Sequence, residues 1–361
     1  MTDIAKLGFS EVVRKRPGMY VGDTGEYGLY HLVWFLLDAV FSDARRGEGS
    51  DFTLEAGSDN AISLFTTCRV VPPEELARVM AGGVFFKQPQ AYAWGWSTYL
   101  PIVLALASRF QLDVWTQGRQ WRFQGARGQP SGDGSEVTPA EPLPAGVSRA
   151  MRVGFVPDAD VFTGGFAYDE ARLLARCREL AALAPGLRAR FTGQRTGQDI
   201  VLHYPGGVAW WLAELTAGRR RLHPEPLAFD VPWEELRLRC ALQWCKGAGE
   251  VLSFANTVRT RRHGVHVDGV LMALRAALAE VSGQRASVFT LDALGRGLTA
   301  IIALDGPEER MSFAGPTKEL LAIEGLKDAV RAQLQPLLVE ALRGHPLATR
   351  LARRRRYPRR K

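Results

Sequence analysis

The sequence predicts two α+β domains joined in series. Helix-period and strand-period apolar patterns alternate along the chain, short strand pairs are joined by turn residues, and no fixed-period repeat appears. With 361 residues the chain is long enough for two separate cores. The first element is GLYHLVWFLLDAVFSDARRG, residues 28 to 47. Its Leu29, Leu32, Val33, Leu36, Leu37 and Val40 recur at helical spacing and predict one buried face. A second line, Phe35, Ala39 and Ser42, runs down another face of the same helix.

Strand-like ISLFTT (62 to 67) and a helical VLALASRF (103 to 110) follow. QLDVWTQG and RQWRFQG then alternate on either side of Gly118 and predict a hairpin. Residues 125 to 150, rich in Gly, Pro and Ser, predict a loop. MRVGFVP returns to strand, and YDEARLLARCRELAAL (168 to 183) predicts a helix ended near Pro185 and Gly186. From about residue 200 a second unit offers strands in LRLRCALQWC and EVLSFANTVRT. A helix follows with Val267, Val270, Leu271, Leu274, Leu278 and Val281 on one face, then a strand, GLTAIIALD, and a long helix from about Thr317.

Hydrophobic content of 46% and charged content of 23% fit a globular protein, and no apolar run reaches the length of a membrane span. The N-terminal stretch lacks the apolar core of a signal peptide, so a cytoplasmic, nucleoid-associated location is expected. Cys68, Cys177, Cys240 and Cys245 fit neither a CxxC motif nor a zinc framework, and reduced, partly buried thiols are expected. The net charge of +8 is a property of the C-terminus alone. The last sixteen residues hold Arg350, Arg353, Arg354, Arg355, Arg356, Arg359, Arg360 and Lys361 and no acid, which leaves the remainder balanced. Such a block repels itself, so residues 346–361 are expected to be disordered when unbound.

VRKRPGMYVGDTGEYGLYHLV (13 to 33) resembles the opening of the ATPase region of bacterial DNA gyrase B and its topoisomerase IV counterpart. ALQWCKGAGEVLSFANTVRTRRHGVHVDGV (241 to 270), GRGLTAIIAL (295 to 304) and FAGPTKELL (313 to 321) resemble later segments of that family, in the same order. The resemblance implies a GHKL ATP-binding domain, a Bergerat-fold α/β sandwich, over residues 1–199. A transducer domain of ribosomal-S5-like fold is implied over 200–345, with the arginine-rich tail after it. In the family a metal-binding TOPRIM domain follows the transducer, and here the tail stands in that place.

Hydrolysing ATP needs a carboxylate to activate water, a Mg²⁺ ligand and backbone amides around the phosphates. The resemblance puts the general-base Glu at Phe35 and the Mg²⁺-binding Asn at Ala39, and keeps only the neighbouring acid, as Asp38. The adenine-reading Asp falls at Thr66, and both glycines of its turn are lost in Thr67, Cys68, Arg69, Val70, Val71 and Pro72; Arg69 matches an Arg of that turn. The glycine-rich lid corresponds to Ala93, Trp94, Gly95, Trp96, Ser97, Thr98 and Tyr99, whose bulky side chains obstruct the approach of backbone amides to phosphate. The Thr of the adenine-side strand falls at Met151. Of the transducer residues that reach the γ-phosphate, the Lys is kept as Lys318 and the Gln is Pro316. ATP and Mg²⁺ are therefore expected to be lost as cofactors. Phe35, Trp94 and Trp96 either fill the vacated pocket or pack elsewhere and leave a cleft.

Three functions follow as expectations. The first is a non-catalytic gyrase-B-like protein that binds DNA through its tail and modulates topology or chromosome organisation, with strongly salt-dependent affinity. Arg219, Arg220, Arg221, Arg259, Arg261 and Arg262 would add to it or stay a solvated surface, and RNA, ribosomes or acidic lipid would attract the tail too. The second is a decoy that pairs with gyrase or topoisomerase IV subunits, or a homodimer. The third is a working ATPase with Asp38 or Asp43 as a relocated base. A topoisomerase acting alone is not expected, since neither a cleavage domain nor a TOPRIM region fits the pattern.

Overall fold

The computed structural model describes residues 8–81, 95–139, 142–165, 167–315 and 318–353, with the side chains of Ala352 and Arg353 outside the description. The chain divides into two compact units, Met1–Tyr204 and Pro205–Lys361. The division falls five residues beyond the expected one, because the last strand of the first sheet runs to His203.

The first unit begins with α1 (Phe9–Lys15), α2 (Gly18–Val21) and the long α3 (Glu26–Arg45), then β1 (Asp51–Ala56), β2 (Ile62–Thr66), α4 (Pro73–Met80) and α5 (Trp96–Leu106). It continues through β3 (Ala107–Thr116), β4 (Arg119–Ala126), β5 (Gln129–Pro130), β6 (Ser135–Val137), β7 (Ala150–Pro157), α6 (Glu170–Leu183), β8 (Arg188–Gly193) and β9 (Gln198–His203). The strands form one sheet in the order β5-β4-β3-β7-β2-β1-β8-β9, with β6 also on β4. Every pairing is antiparallel except β1 with β8.

The entry into α3 is fixed by Asp23, whose carboxylate accepts hydrogen bonds from the backbone N–H groups of Gly25 (2.9 Å) and Gly28 (2.8 Å). A Cβ at Gly28 would lie 1.9 Å from the Asp23 carbonyl oxygen, so only glycine fits there. All six residues of the predicted α3 stripe are buried. The β3–β4 hairpin turns at Gln117 and Gly118, both with positive φ (51° and 75°), a turn whose twist matches that of the strands. The helix expected over 103–110 instead lies at Trp96–Leu106, and Ala107 to Phe110 belong to β3, where pairing with β7 overrides their helix-compatible pattern. Within the expected loop 125–150, β5 and β6 pair with β4.

The second unit holds α7 (Gly207–Leu215), β10 (Leu227–Trp233), β11 (Leu236–Trp244), β12 (Val251–Ala255), β13 (Val258–Arg259), α8 (Val265–Ser282), α9 (Leu291–Gly295), β14 (Leu298–Asp305), α10 (Leu326–Leu342) and α11 (Pro346–Arg353). Its sheet order is β10-β11-β14-β12-β13, with β12 and β14 parallel. All eight residues of β14 are buried, as expected of a central strand covered on both faces. The core joins that sheet to α8, α10 and α11.

Two expectations for the C-terminus change. The long helix starts at Leu326, not Thr317, because the Leu321 N–H donates to the His263 carbonyl and the Leu321 carbonyl accepts from Val265. That backbone is committed to a neighbouring segment and is not available to a helix. The tail, expected to be disordered from residue 346, is helical as far as Arg353, and Leu347, Ala348 and Leu351 are buried in the core. Three apolar side chains on one side of a charged helix supply the burial that the charge count concealed. All four cysteines are free and buried. Burial pushes the Cys68 thiol up to about 11 and those of Cys177 and Cys240 to about 12, so they act as apolar packing. Among the described residues no helix is long and apolar enough to cross a membrane.

Candidate functional site

Three faces of α3 do three different jobs. One is the buried stripe. A second faces α6 through Glu26, Tyr30, Trp34 and Asp38, each four residues from the last, so that they stand in line. Arg172 pairs with Glu26 at 2.9 Å, and its guanidinium carbon lies 3.8 Å from the centre of the Tyr30 ring. Arg176 lies over Trp34 and pairs with both Asp38 (3.0 Å) and Glu179 (3.1 Å). The Tyr168 hydroxyl donates to the Leu29 carbonyl at 3.0 Å, and the Asp169 N–H donates to the Tyr30 hydroxyl at 2.6 Å. The Asp38 carboxylate therefore belongs to a helix–helix contact.

The third face carries Phe35 and Ala39 and continues to Asp43, four residues further, rather than to Ser42. Phe35 lies nearly parallel to Tyr99 of α5, with ring centres 4.7 Å apart and planes 10° apart. Edge contacts run back along the helix from Phe35 to His31 (5.8 Å), and His31 meets Tyr27 at 4.3 Å. Burial lowers the proton affinity of His31, which keeps this row uncharged near neutral pH. Ala39 is 1% exposed.

Asp43, also 1% exposed, accepts a 2.7 Å hydrogen bond from the Trp96 indole N–H and a 2.6 Å bond from Arg46. Burial raises its pKa, and the bonds from Trp96 and Arg46 oppose that rise. Trp96 is thus placed by a polar tether as well as by packing, and Tyr99, not Trp96, covers Phe35. Trp94 lies outside the described residues. From sequence, Asp43 stands out only as a candidate base. The signal for its actual role is an acid four residues beyond Ala39 on an otherwise apolar line.

Thr66 and Met151 are directly paired neighbours on β2 and β7, so the structure brings these two sequence-predicted residues together. Both are buried on the helix side of the sheet. The Thr66 hydroxyl donates to the Asp51 carbonyl and accepts from the Cys68 N–H, each at 3.1 Å, which closes the turn locally. Arg69 is half-buried just beyond that turn.

The other sequence-predicted residues lie in the second unit. Lys318 is exposed, with its ammonium 5.8 Å from the centre of the Phe313 ring, while Pro316 lies outside the described residues. Arg219 is structural: it donates to the Thr299 hydroxyl at 2.7 Å and also to the Ala248 carbonyl. Arg259 pairs with Glu250 at 3.3 Å, whereas Arg220, Arg221, Arg261 and Arg262 are exposed. Arg350 donates to the Leu222 carbonyl at 2.6 Å and so is anchored to the domain. Arg354, Arg355, Arg356, Arg359, Arg360 and Lys361 lie outside the described residues, as does the side chain of Arg353.

The DNA gyrase B family model matches residues 207–353. A curated relative, the DNA gyrase B of Synechocystis, is 29% identical over 359 residues, covering 93% of this chain. This chain spans only 33% of that protein and 49% of the chloroplastic/mitochondrial DNA gyrase B of Nicotiana benthamiana. Among solved structures, the 43K ATPase domain of Thermus thermophilus gyrase B in complex with an aminocoumarin matches with TM-score 0.79 and 25% identity, over 98% of this chain and 95% of that one. The crystal structure of the B-subunit of the DNA gyrase from Myxococcus xanthus matches with TM-score 0.90 and 54% identity, over 96% of this chain and 99% of that one. Identity at that level across both units, in the order the motifs gave, means that the chain belongs to the DNA gyrase B family.

Proposed function

We propose that this chain is a gyrase-B-like module that does not hydrolyse ATP and acts by binding DNA through its basic C-terminal end, modulating DNA topology or chromosome organisation. The observation that carries the reading is the line Phe35, Ala39 and Asp43 on α3. A phenyl ring stacked on Tyr99 and a methyl group offer no atom to a metal ion or a water. The two acids near them are held elsewhere, Asp38 by Arg176 and Asp43 by Trp96 and Arg46. The Thr66 hydroxyl, where an adenine-reading carboxylate would stand, is engaged with its own turn. This donor set does not fit Mg²⁺-ATP.

The DNA part of the proposal rests on charge. Six cations follow Arg353 within eight residues, and a cationic segment gains affinity for a polyanion by releasing its counterions. The test is duplex-DNA affinity against salt for the full chain and for a full-length variant with Arg354, Arg355, Arg356, Arg359 and Arg360 changed to Gln. Both keep α11, whose removal would strip three buried side chains from the core. The expected log–log slope for the full chain is roughly −5, from about 0.9 per neutralised phosphate, falling to near −1 in the variant. An unchanged slope, or no binding by the full chain at about 50 mM salt, overturns the DNA reading.

A further inference from the structure

Two histidines meet where α11 joins the second unit. The chain turns between α10 and α11 over residues 343–345, and half-buried His345 stands immediately before Pro346, the first residue of α11. Its ring meets that of His223 edge to face, with centres 5.9 Å apart and planes at 83°. His223 lies in the segment that leads into β10 and is 5% exposed. Beside it, Arg350 of α11 donates to the Leu222 carbonyl, while Leu347, Ala348 and Leu351 are buried in the core.

Each histidine uses a bare ring nitrogen as a hydrogen-bond acceptor. His223 Nδ1 lies 2.6 Å from the Glu225 carbonyl oxygen, which can only accept, so that nitrogen carries the ring proton. His223 Nε2 accepts from the Trp244 backbone N–H at 3.1 Å and so has no proton of its own. His345 Nδ1 accepts from the Leu347 backbone N–H, also at 3.1 Å. This is an N-cap bond, from the second residue of a helix to the side chain that precedes it. A proton on either acceptor nitrogen would set a donor against a donor. On His345 it would also place a positive charge at the positive end of the α11 dipole.

The surroundings do not compensate such a charge. Burial lowers the proton affinity of His223, the Glu225 carbonyl opposes that, and His345 and Arg221 lower it further. Strand β11 presents the uncharged Gln243, which donates to the His223 carbonyl at 2.8 Å, and Trp244. The charge that α11 brings to this segment is Arg350, also positive, and among the described residues neither histidine has an ion-pair partner. We propose that His223 and His345 form a pH-sensitive clasp that docks α11 while both rings are neutral and releases it in mild acid. Once released, the rings reach water and take up protons at about 6.5. The docked form refuses the proton on His223, so docking is complete above about 6.5 and weakens by up to about tenfold per pH unit as acid is added below it. The released helix carries the basic C-terminal end with it, whatever that end binds.

Hydrogen exchange of the backbone amides from Leu347 to Leu351 in the full chain reads the release, each rate taken relative to that of an unstructured peptide at the same pH. From about pH 7.5 to about pH 5.5, protection is expected to fall at least about tenfold in the parent chain. In a double variant with His223→Gln and His345→Asn, whose side-chain amides accept the same N–H groups without titrating, the fall is expected to stay below about threefold. Acid destabilisation arising elsewhere in the chain lowers protection in parent and variant alike, so the comparison separates it. If the double variant melts below the parent at about pH 7.5, His345→Asn alone carries the test, with a fall at least about threefold smaller than the parent's. The proposal is overturned by protection that does not fall in the parent, or by a fall of the parent's size in the folded variant.

Discussion

Asp43 shows how a single side chain decides what its neighbours do. A carboxylate at 1% exposure is costly unless it is bonded, and here the Trp96 indole and the Arg46 guanidinium satisfy it. Trp96→Phe leaves an aromatic ring but removes one of those donors, and is expected to cost about 1–3 kcal/mol in urea unfolding. Phe35 and Ala39 as one line on α3 were legible in the sequence, where the resemblance sets them against an acid and an amide. The partner of Phe35 was not. Tyr99 reaches it only because α5 begins at Trp96, a boundary that the pattern at 103–110 misplaced.

At the scale of elements, α11 anchors the start of the basic C-terminus to the second core. Leu351→Ala is expected to destabilise the second unit by about 2–4 kcal/mol, measured by denaturant unfolding, since it empties space within a packed core. Helix α8 carries a different liability. His266 is fully buried with neither ring nitrogen bonded among the described residues, and burial, assisted by nearby His263, pushes its pKa down to about 3. The unfolded chain takes up this proton below about 6.5 while the folded chain refuses it until about 3. Stability is therefore complete above the unfolded value and falls by about 1.4 kcal/mol per pH unit as acid is added through that window. His266→Gln is expected to flatten urea midpoints measured between pH 6 and pH 4 relative to the parent chain. Asp43 acts in the opposite sense: its raised folded pKa gives stability that is full below its unfolded value and lost as pH rises through the folded one.

For the molecule as a whole, the proposed loss of the nucleotide predicts that melting does not respond to it. A ligand at a hundredfold excess over its dissociation constant would add about 2.7 kcal/mol, several degrees for units of this size. With about 5 mM Mg²⁺-ATP the expected change in melting temperature is below about 1 °C, measured by calorimetry. A clear rise would return the chain to the ATP-binding members of its family.

The sequence by itself determined the two α+β units, the α3, α6 and α8 helices, the hairpin at Gly118 and the linear motifs that carry the family resemblance. These rest on local periodicity, turn chemistry and linear motifs, each visible within a short stretch of chain. Only the tertiary structure decided that Asp38 serves α6, that Asp43 holds Trp96, and that Arg350 and α11 are part of the second unit's packing. Each of these depends on partners far apart in sequence: Asp38 with Arg176, Asp43 with Trp96, and Arg350 with Leu222. Burial and hydrogen bonding are set by such long-range neighbours, and no spacing along the chain encodes them.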